Sequence, residues 1–137
     1  MIKQAIAASL MTLLPVMAAA ESHGMAGDAE KGERVFRKCQ ACHAVGEDAK
    51  NKVGPVLNGI IGRTVASVED FSYSTVLADM GAEGKTWTEE DLAAFLEKPR
   101  DYAKGTKMAF AGLRKEEERA DVIAYLATFS EEADGGS

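Results

Sequence analysis

Two cysteines and a histidine stand within five consecutive positions of this 137-residue chain, in the stretch RKCQACHAV. Cys39 and Cys42 are the only cysteines of the sequence, and His43 follows the second of them directly. The C-x-x-C-H spacing places two thiols and an imidazole where they can act on one target. The fold therefore has to be built around whatever these three side chains hold.

Three ordinary uses of such a cluster fit the sequence poorly. A disulfide between residues three apart closes a very small loop and gives little stabilisation. Thiol-exchange C-x-x-C pairs usually open a helix that follows a strand, whereas this pair lies at the end of a predicted helix. A zinc ion would take Cys39, Cys42 and His43 with His23 as the fourth ligand, but the adjacent Cys42 and His43 suit one zinc ion badly.

The spacing is instead the attachment pattern of haem c. Two thiols can add to the two vinyl groups of the porphyrin, and the imidazole of the next residue is then held beside the iron. The rest of the chain agrees with one covalent haem c. The loop-like stretches 44–70 and 100–113 leave few apolar residues for a core, and a haem would supply the missing apolar centre.

The first twenty residues have the three parts of a cleavable signal peptide. Lys3 gives a positive head, an uncharged apolar run follows, and small residues lead to cleavage after Ala20. The run is shorter than the roughly 20 apolar residues of a spanning helix, so the processed protein is not expected to span a membrane. Processing would leave 15 basic and 22 acidic side chains, a net charge of −7, which disfavours nucleic acid as a partner.

The processed chain, 21–137, is predicted to be one small all-α domain of three to five helices with long loops. Asp28 caps a first helix of about three turns. A short helix covers YSTVLADM, and a third begins at Thr88 and ends at Pro99. The last runs over 114–129, so the domain core is 27–129 and 130–137 form a flexible acidic tail. Within the first helix, Gly32 indicates that another helix approaches closely, because glycine there costs roughly 1 kcal/mol against alanine.

A sixth ligand for the iron has to come from elsewhere in the chain. The candidates are His23, Met25, Met80 and Met108, with the lysines. Met108 is favoured because its loop, PRDYAKGTKMAFAGL, is bracketed by proline and glycine residues that can fix the backbone. A thioether opposite an imidazole favours ferrous iron and raises the reduction potential.

The chain resembles class I cytochromes c, and most closely the branch of bacterial cytochrome c2 and mitochondrial cytochrome c. The similarity covers nearly all of 27–129. It is carried by GDAEKGERVFRKCQACH, VGPVLNGIIGR, FSYS, TW, LEKPRDYAKGTKMAFAGL and ERADVIAYL.

The resemblance implies a role for each matching residue. Cys39 and Cys42 would carry the covalent haem, with His43 and Met108 as axial ligands of the iron. The carbonyl of Pro55 would accept from the second nitrogen of His43. Donors to the haem propionates and pocket would be Arg63, Tyr73, Trp87 and Thr106. The first and last helices would cross with Gly32 and Phe36 against Val122 and Tyr125.

Two features depart from the mitochondrial pattern. Phe95 stands where those proteins carry a tyrosine near the methionine ligand, so no hydroxyl is available to the thioether sulfur. The stretch between Tyr73 and Trp87, which contains Met80, is longer than in the mitochondrial proteins.

The resemblance implies a soluble, monomeric electron carrier in the periplasm of a Gram-negative bacterium, with no catalytic residue. Its partners would be a cytochrome bc1-type donor and, as acceptor, an oxidase, a photosynthetic reaction centre or a reductase of the respiratory chain. Positive charges around the haem edge, at Arg37, Lys38, Lys104 and Lys107, would form a docking face opposite an acidic segment, 116–134. The alternative is a haem c peroxidase-like or gas-sensing protein whose sixth ligand is labile.

Overall fold

The computed structural model describes residues 26–130, and these form five helices. They are α1 (Ala29–Phe36), α2 (Thr75–Ala82), α3 (Glu89–Glu97), α4 (Pro99–Tyr102) and α5 (Glu116–Ala127). Over this range the only strand-like pairing is a single antiparallel bridge between Thr64 and Thr86. The all-α prediction is therefore confirmed. The predicted signal peptide, His23 and Met25, and the acidic tail after Ser130 lie outside the described residues.

Two helices begin at the side chains that the sequence indicates. The Asp28 carboxylate accepts from the backbone N–H groups of Glu30, at 2.9 Å, and Lys31, at 3.2 Å. The Thr88 hydroxyl accepts from Asp91 N at 3.0 Å. These are the free donors of a first helical turn, and a polar side chain before the helix satisfies them.

α1 and α5 cross at Gly32, as predicted. A Cβ atom on Gly32 would lie 1.9 Å from the Asp121 carbonyl oxygen, so only glycine permits this approach. Beside it the rings of Phe36 and Tyr125 pack with their centroids 5.4 Å apart, and Asp28 N donates to the Asp121 carboxylate at 2.8 Å. The two ends of the domain are thereby joined.

The region predicted as a loop over 100–113 begins with a short helix, α4. Pro99 ends α3, as expected, but it also occupies the first position of α4. Proline suits that position because the first N–H of a helix has no partner in any case. The last helix is shorter than predicted at both ends, since α5 covers Glu116–Ala127.

α3 packs against α4 and α5, while α2 makes no packing contact with another described helix. α2 rests instead on the preceding loop, where a Cβ on Gly81 would lie 2.1 Å from the Val65 carbonyl oxygen. The buried core joins side chains from the helices to others from the loops, among them Phe36, Ile60, Val65, Trp87, Phe95, Leu113 and Ile123. No helix between residues 26 and 130 has the length and apolar character needed to cross a bilayer.

Candidate functional site

An apolar cavity of about 400 Å³ opens between the C-x-x-C-H turn, the 53–63 loop, α3 and the 106–110 loop. Much of its wall is hydrocarbon, from Phe36, Leu57, Ile60, Leu92, Phe95 and Leu96. Every residue that the sequence assigned to the site also lines it: Cys39, Cys42, His43, Pro55, Arg63, Tyr73, Trp87, Thr106 and Met108. The structure thus brings together nine side chains that are spread over 70 positions of the sequence.

The C-x-x-C-H stretch follows α1 as a series of tight turns. Cys42 N and His43 N both donate to the Cys39 carbonyl, at 3.1 and 2.9 Å. From outside, the Lys52 ammonium donates to the Gln40 carbonyl at 2.6 Å, and Gly54 N donates to the Cys42 carbonyl at 2.8 Å. The turn is therefore held through the carbonyls of Gln40 and Cys42, which fixes the backbone that carries its three functional side chains.

The two thiols are free and half-buried. Burial raises the pKa of the Cys39 thiol to about 11, against the opposing effect of the nearby Lys38 charge. Thiol-exchange proteins depend on a lowered thiol pKa, so this environment is the opposite of the one they need. It suits a thiol that is consumed once, in forming a covalent bond.

The orientation of the His43 ring is set by one hydrogen bond. Nδ1 lies 2.8 Å from the Pro55 carbonyl oxygen, which can only accept, so Nδ1 carries the proton and Nε2 keeps its lone pair. Burial lowers the pKa of the imidazole, although the Pro55 contact opposes this effect. The ring is therefore a neutral imidazole with one nitrogen available as a ligand, and the predicted hydrogen bond between His43 and Pro55 is present.

Met108 reaches the same cavity from a loop with a defined course. Gly105 has a φ of +94°, a conformation that favours glycine. Thr106 N donates to the Ala103 carbonyl at 3.0 Å, and Met108 N lies 3.3 Å from the Thr106 hydroxyl that accepts its hydrogen bond. Met80 does not line this cavity but a separate groove between α2 and residues 104–107. Of the two described methionine candidates, Met108 and not Met80 shares the cavity with His43.

Two of the predicted polar residues of the cavity, Arg63 and Tyr73, already make hydrogen bonds to the backbone. Arg63 Nη1 donates to the carbonyls of Val56 and Asn58, both at 3.0 Å. Burial lowers the pKa of this guanidinium, but an arginine stays charged in proteins. The Tyr73 hydroxyl accepts from Val68 N at 3.1 Å and keeps its own proton to donate.

Gly54 lies in the stretch 44–70 that the sequence predicts as a loop, and it is part of the site. A Cβ atom there would lie 2.4 Å from His43 Cε1 and 2.8 Å from Nδ1. The Gly-Pro pair is the signal that was available, since the two residues serve one ring: Gly54 makes room for it and Pro55 orients it.

The residues of the cavity fit a covalent haem better than a disulfide, a thiol-exchange site or a zinc site. Two thiols, an imidazole nitrogen and a thioether all line one apolar cavity. Residues 26–130 contain no group of three histidine, cysteine or acidic side chains arranged to hold a metal ion directly. The zinc reading also needed His23, which lies outside the described residues.

Comparison with known proteins agrees with this geometry. A family model described as cytochrome c matches residues 29–130. Cytochrome c-550 of Ancylobacter novellus is 57% identical over 105 residues, which cover 77% of this chain and 96% of that protein. Cytochrome c2 of Agrobacterium tumefaciens is 53% identical over 100 residues, covering 73% and 90%. The structure of cytochrome c2 from Rhodospirillum centenum superimposes with a TM-score of 0.71 at 46% identity, over 76% of this chain and 99% of that one.

Proposed function

The chain belongs to the cytochrome c family, beside the bacterial cytochromes c2 and c-550, and from this premise we propose that it is a one-electron carrier with one covalent haem c. The observation that carries the proposal is the shared cavity of His43 and Met108. One chain thereby offers an imidazole and a thioether to the same iron, the ligand pair of electron-transfer cytochromes c.

The residues that would hold the haem follow from the cavity wall. Cys39 and Cys42 would form the two thioether bonds, and His43 Nε2 and the Met108 sulfur would take the two axial positions. Arg63, Tyr73, Trp87 and Thr106 would face its polar groups. Bound there, haem c supplies an iron that takes up and releases one electron.

Ligation by both His43 and Met108 would leave the iron no open position for a substrate. This supports a carrier and not an enzyme, because peroxidase and gas-binding chemistry need a vacant or labile sixth site. Pro55 supports the role of His43 as a ligand: a hydrogen bond to the far nitrogen of His43 fixes the ring and strengthens it as a ligand.

The partners in this proposal are redox complexes in the periplasm of a Gram-negative bacterium, reached after removal of residues 1–20. A cytochrome bc1-type complex would donate, and an oxidase, reaction centre or reductase would accept. The docking face would comprise Arg37, Lys38, Lys104 and Lys107. Lys38 and Lys107 line the cavity itself, so their charges lie beside the group that exchanges the electron, as docking to an acidic partner requires.

One contact changes the charge balance of this face. The Lys38 ammonium lies 3.0 Å from a carboxylate oxygen of Glu118, in the acidic first turn of α5. The side chain of Lys38 is still 51% exposed. The basic face and the acidic segment therefore meet at this ion pair. Because its charge is partly neutralised, Lys38 attracts an acidic partner less than the other three residues of the docking face do.

The test is the ligation state of the haem-loaded protein. A denaturing gel should retain the haem on the chain. The ferric spectrum should be low spin with the thioether-to-iron band, and the ferrous form should bind carbon monoxide poorly. Met108→Ala should remove the band and admit carbon monoxide, while Met80→Ala should change neither. A high-spin ferric spectrum or ready carbon monoxide binding in the unaltered protein would instead support the peroxidase-like or gas-sensing alternative.

A further inference from the structure

A polar cluster outside the cavity joins the start of α3 to the end of α4. The Asp91 carboxylate accepts from the Tyr102 hydroxyl at 3.0 Å through one oxygen and from the Thr88 hydroxyl at 3.0 Å through the other. The Lys85 ammonium lies 3.5 Å from the same oxygen that Tyr102 contacts. None of these four residues lines the cavity, and the assigned ligands do not need them.

Within this cluster, Asp91 is the residue whose position is held most directly by the backbone of α3. It stands in the first turn of α3, where the Thr88 cap bonds both its N–H and its side chain. The segment just before α3 is tied to the 62–65 loop, because Val65 N donates to the Lys85 carbonyl at 2.8 Å and Trp87 N to the Arg63 carbonyl at 2.9 Å. The carboxylate is therefore a well-anchored acceptor.

Tyr102 stands on the other side, at the end of α4 and six residues before Met108. Its ring packs edge-on against Phe95, with centroids 5.8 Å apart, and lies 6.2 Å from Trp87. Both of those rings line the cavity. Beyond the ring, the Tyr102 hydroxyl donates to the Asp91 carboxylate.

The chain between Tyr102 and Met108 has little slack. Ala103 is fully buried and its N–H donates to the Pro99 carbonyl at 2.9 Å. The Ala103 carbonyl in turn accepts from Thr106 N at 3.0 Å, and Thr106 contacts Met108. Successive hydrogen bonds thus connect Ala103, the residue after Tyr102, to Met108.

We propose that Asp91 and Tyr102 are positioning residues for Met108, forming a brace that keeps the methionine loop closed over the haem cavity. The brace closes the α3–α4 turn across eleven positions, from the anchored first turn of α3 to the last residue of α4. The Tyr102 hydrogen bond also holds the pKa of Asp91 below its usual range, so the carboxylate stays ionised and a strong acceptor at neutral pH. The inference rests on the proposed ligation by Met108.

The test uses exogenous imidazole, which can bind the ferric iron only when the methionine loop opens. Its apparent affinity therefore rises with the open population. Tyr102→Phe removes the hydroxyl and keeps the ring, so the imidazole dissociation constant should fall about fivefold, the effect of losing one partly exposed hydrogen bond. Asp91→Asn should act in the same direction with a smaller effect, and it replaces Tyr102→Phe if that variant does not accumulate.

Tyr125→Phe is the matched control. It removes a tyrosine hydroxyl at the α1–α5 crossing, and this hydroxyl makes no hydrogen bond within residues 26–130. Its imidazole affinity should equal that of the unaltered protein. Amide hydrogen exchange gives a second readout: Ala103 and Thr106 should exchange faster in Tyr102→Phe, while amides of α1 and α5 should not change.

Three results would overturn the inference. One is an unchanged imidazole affinity in Tyr102→Phe, or in Asp91→Asn where that variant stands in. Another is an equal change in Tyr125→Phe, which would mean that any loss of stability opens the loop. The third is an unaltered protein without the thioether-to-iron band, which would contradict the proposed ligation by Met108 as well. If the band is present and Tyr102→Phe has no effect, only the positioning role of Asp91 and Tyr102 is contradicted.

Discussion

Gly54 lies against the imidazole of His43 so closely that a Cβ atom on it would come within 2.4 Å of His43 Cε1. The same backbone places the Pro55 carbonyl 2.8 Å from Nδ1 of that ring. The histidine is therefore confined by one residue and oriented by the next. Its position depends on the absence of a side chain as much as on a hydrogen bond.

Gly54→Ala should consequently disturb the iron site. The methyl group overlaps the ring, so the imidazole or the 53–55 backbone must shift, at a cost of about 1–3 kcal/mol for overpacking. We expect a lower yield of haem-loaded protein and a weakened low-spin spectrum. The measurement is the ferric absorption spectrum of the purified protein.

Gly84→Ala is the control for a generic glycine effect. Gly84 has a φ of +82° and no atom near its hypothetical Cβ, so alanine adds backbone strain of about 1 kcal/mol without a clash. The spectrum should remain that of the unaltered protein. Equal spectra for Gly54→Ala and Gly84→Ala would contradict the proposed confinement of His43.

Phe95→Tyr should raise the reduction potential. Phe95 is buried and lines the cavity with Met108, so a hydroxyl there can donate toward the thioether sulfur and withdraw density from ferric iron. A differential hydrogen bond of about 0.5–1 kcal/mol corresponds to roughly 20–40 mV for one electron. Redox titration measures the shift, and an unchanged potential would remove this role for position 95.

Gly32→Ala should destabilise the α1–α5 crossing. Its methyl group would meet the Asp121 carbonyl oxygen at 1.9 Å and Tyr125 Cβ at 2.7 Å. Forcing the helices apart should cost about 1–3 kcal/mol in the free energy of unfolding, measured with guanidinium. Glu33→Ala, at the neighbouring exposed position, should stay within about 0.5 kcal/mol; similar losses in both variants would argue against a specific steric effect.

The contribution of Asp91 to stability should depend on pH in a defined direction. The Tyr102 hydrogen bond lowers the pKa of Asp91 in the folded state. A lowered carboxyl pKa stabilises the fold above the unfolded value, about 3.9, and that contribution is lost as pH falls through the folded value. Asp91→Asn should therefore be less stable than the unaltered protein at pH 7, by about 1 kcal/mol, and the gap should close below about pH 4.

Unfolding by guanidinium between pH 7 and pH 2.5 measures this gap. Because the free energies of unfolding of the two proteins are subtracted at each pH, the contributions of all other titrating groups cancel. Asp101→Asn is a suitable control, because that exposed carboxylate has only a 3.9 Å contact with Lys98. A gap of constant size across the range would contradict an ionised, hydrogen-bonded Asp91.

Glu118→Gln should strengthen docking to an acidic redox partner. The substitution removes the carboxylate that pairs with Lys38 at 3.0 Å and so adds one unit of positive charge to the docking face. Association should become faster at low ionic strength, on the order of twofold, and the gain should vanish at high salt. Stopped-flow electron transfer at several salt concentrations tests this, and equal rates at low salt would show that Lys38 is no part of the docking face.

The sequence predicted the features that depend on local chemistry or on a specific motif. Asp28 and Thr88 begin helices because their side chains accept from the next turn, a rule that needs no tertiary structure. The crossing at Gly32 and the pairing of His43 with Pro55 followed from the family resemblance. Each is confirmed by contacts between residues 12 to 93 positions apart.

Other features depend on packing that no local rule reports. The sequence predicts that Pro99 ends one helix, and only the turn geometry reveals that it also begins the next. The steric role of Gly54 requires the position of a ring eleven residues away. The link between Asp91 and Tyr102 joins two helices that also meet through the rings of Phe95 and Tyr102. In the sequence both residues look like ordinary surface positions.

The isolation of α2 has a consequence for how such chains can diverge. This helix packs on the 65–66 loop and on no other described helix, while the turns that hold Cys39, Cys42, His43 and Met108 are anchored elsewhere. Residues can be gained or lost between 75 and 84 without displacing those anchors. The segment can therefore vary in length among related chains, giving a different outer surface to each, and Leu77 is the one residue of this segment whose place in the cavity wall would change with it.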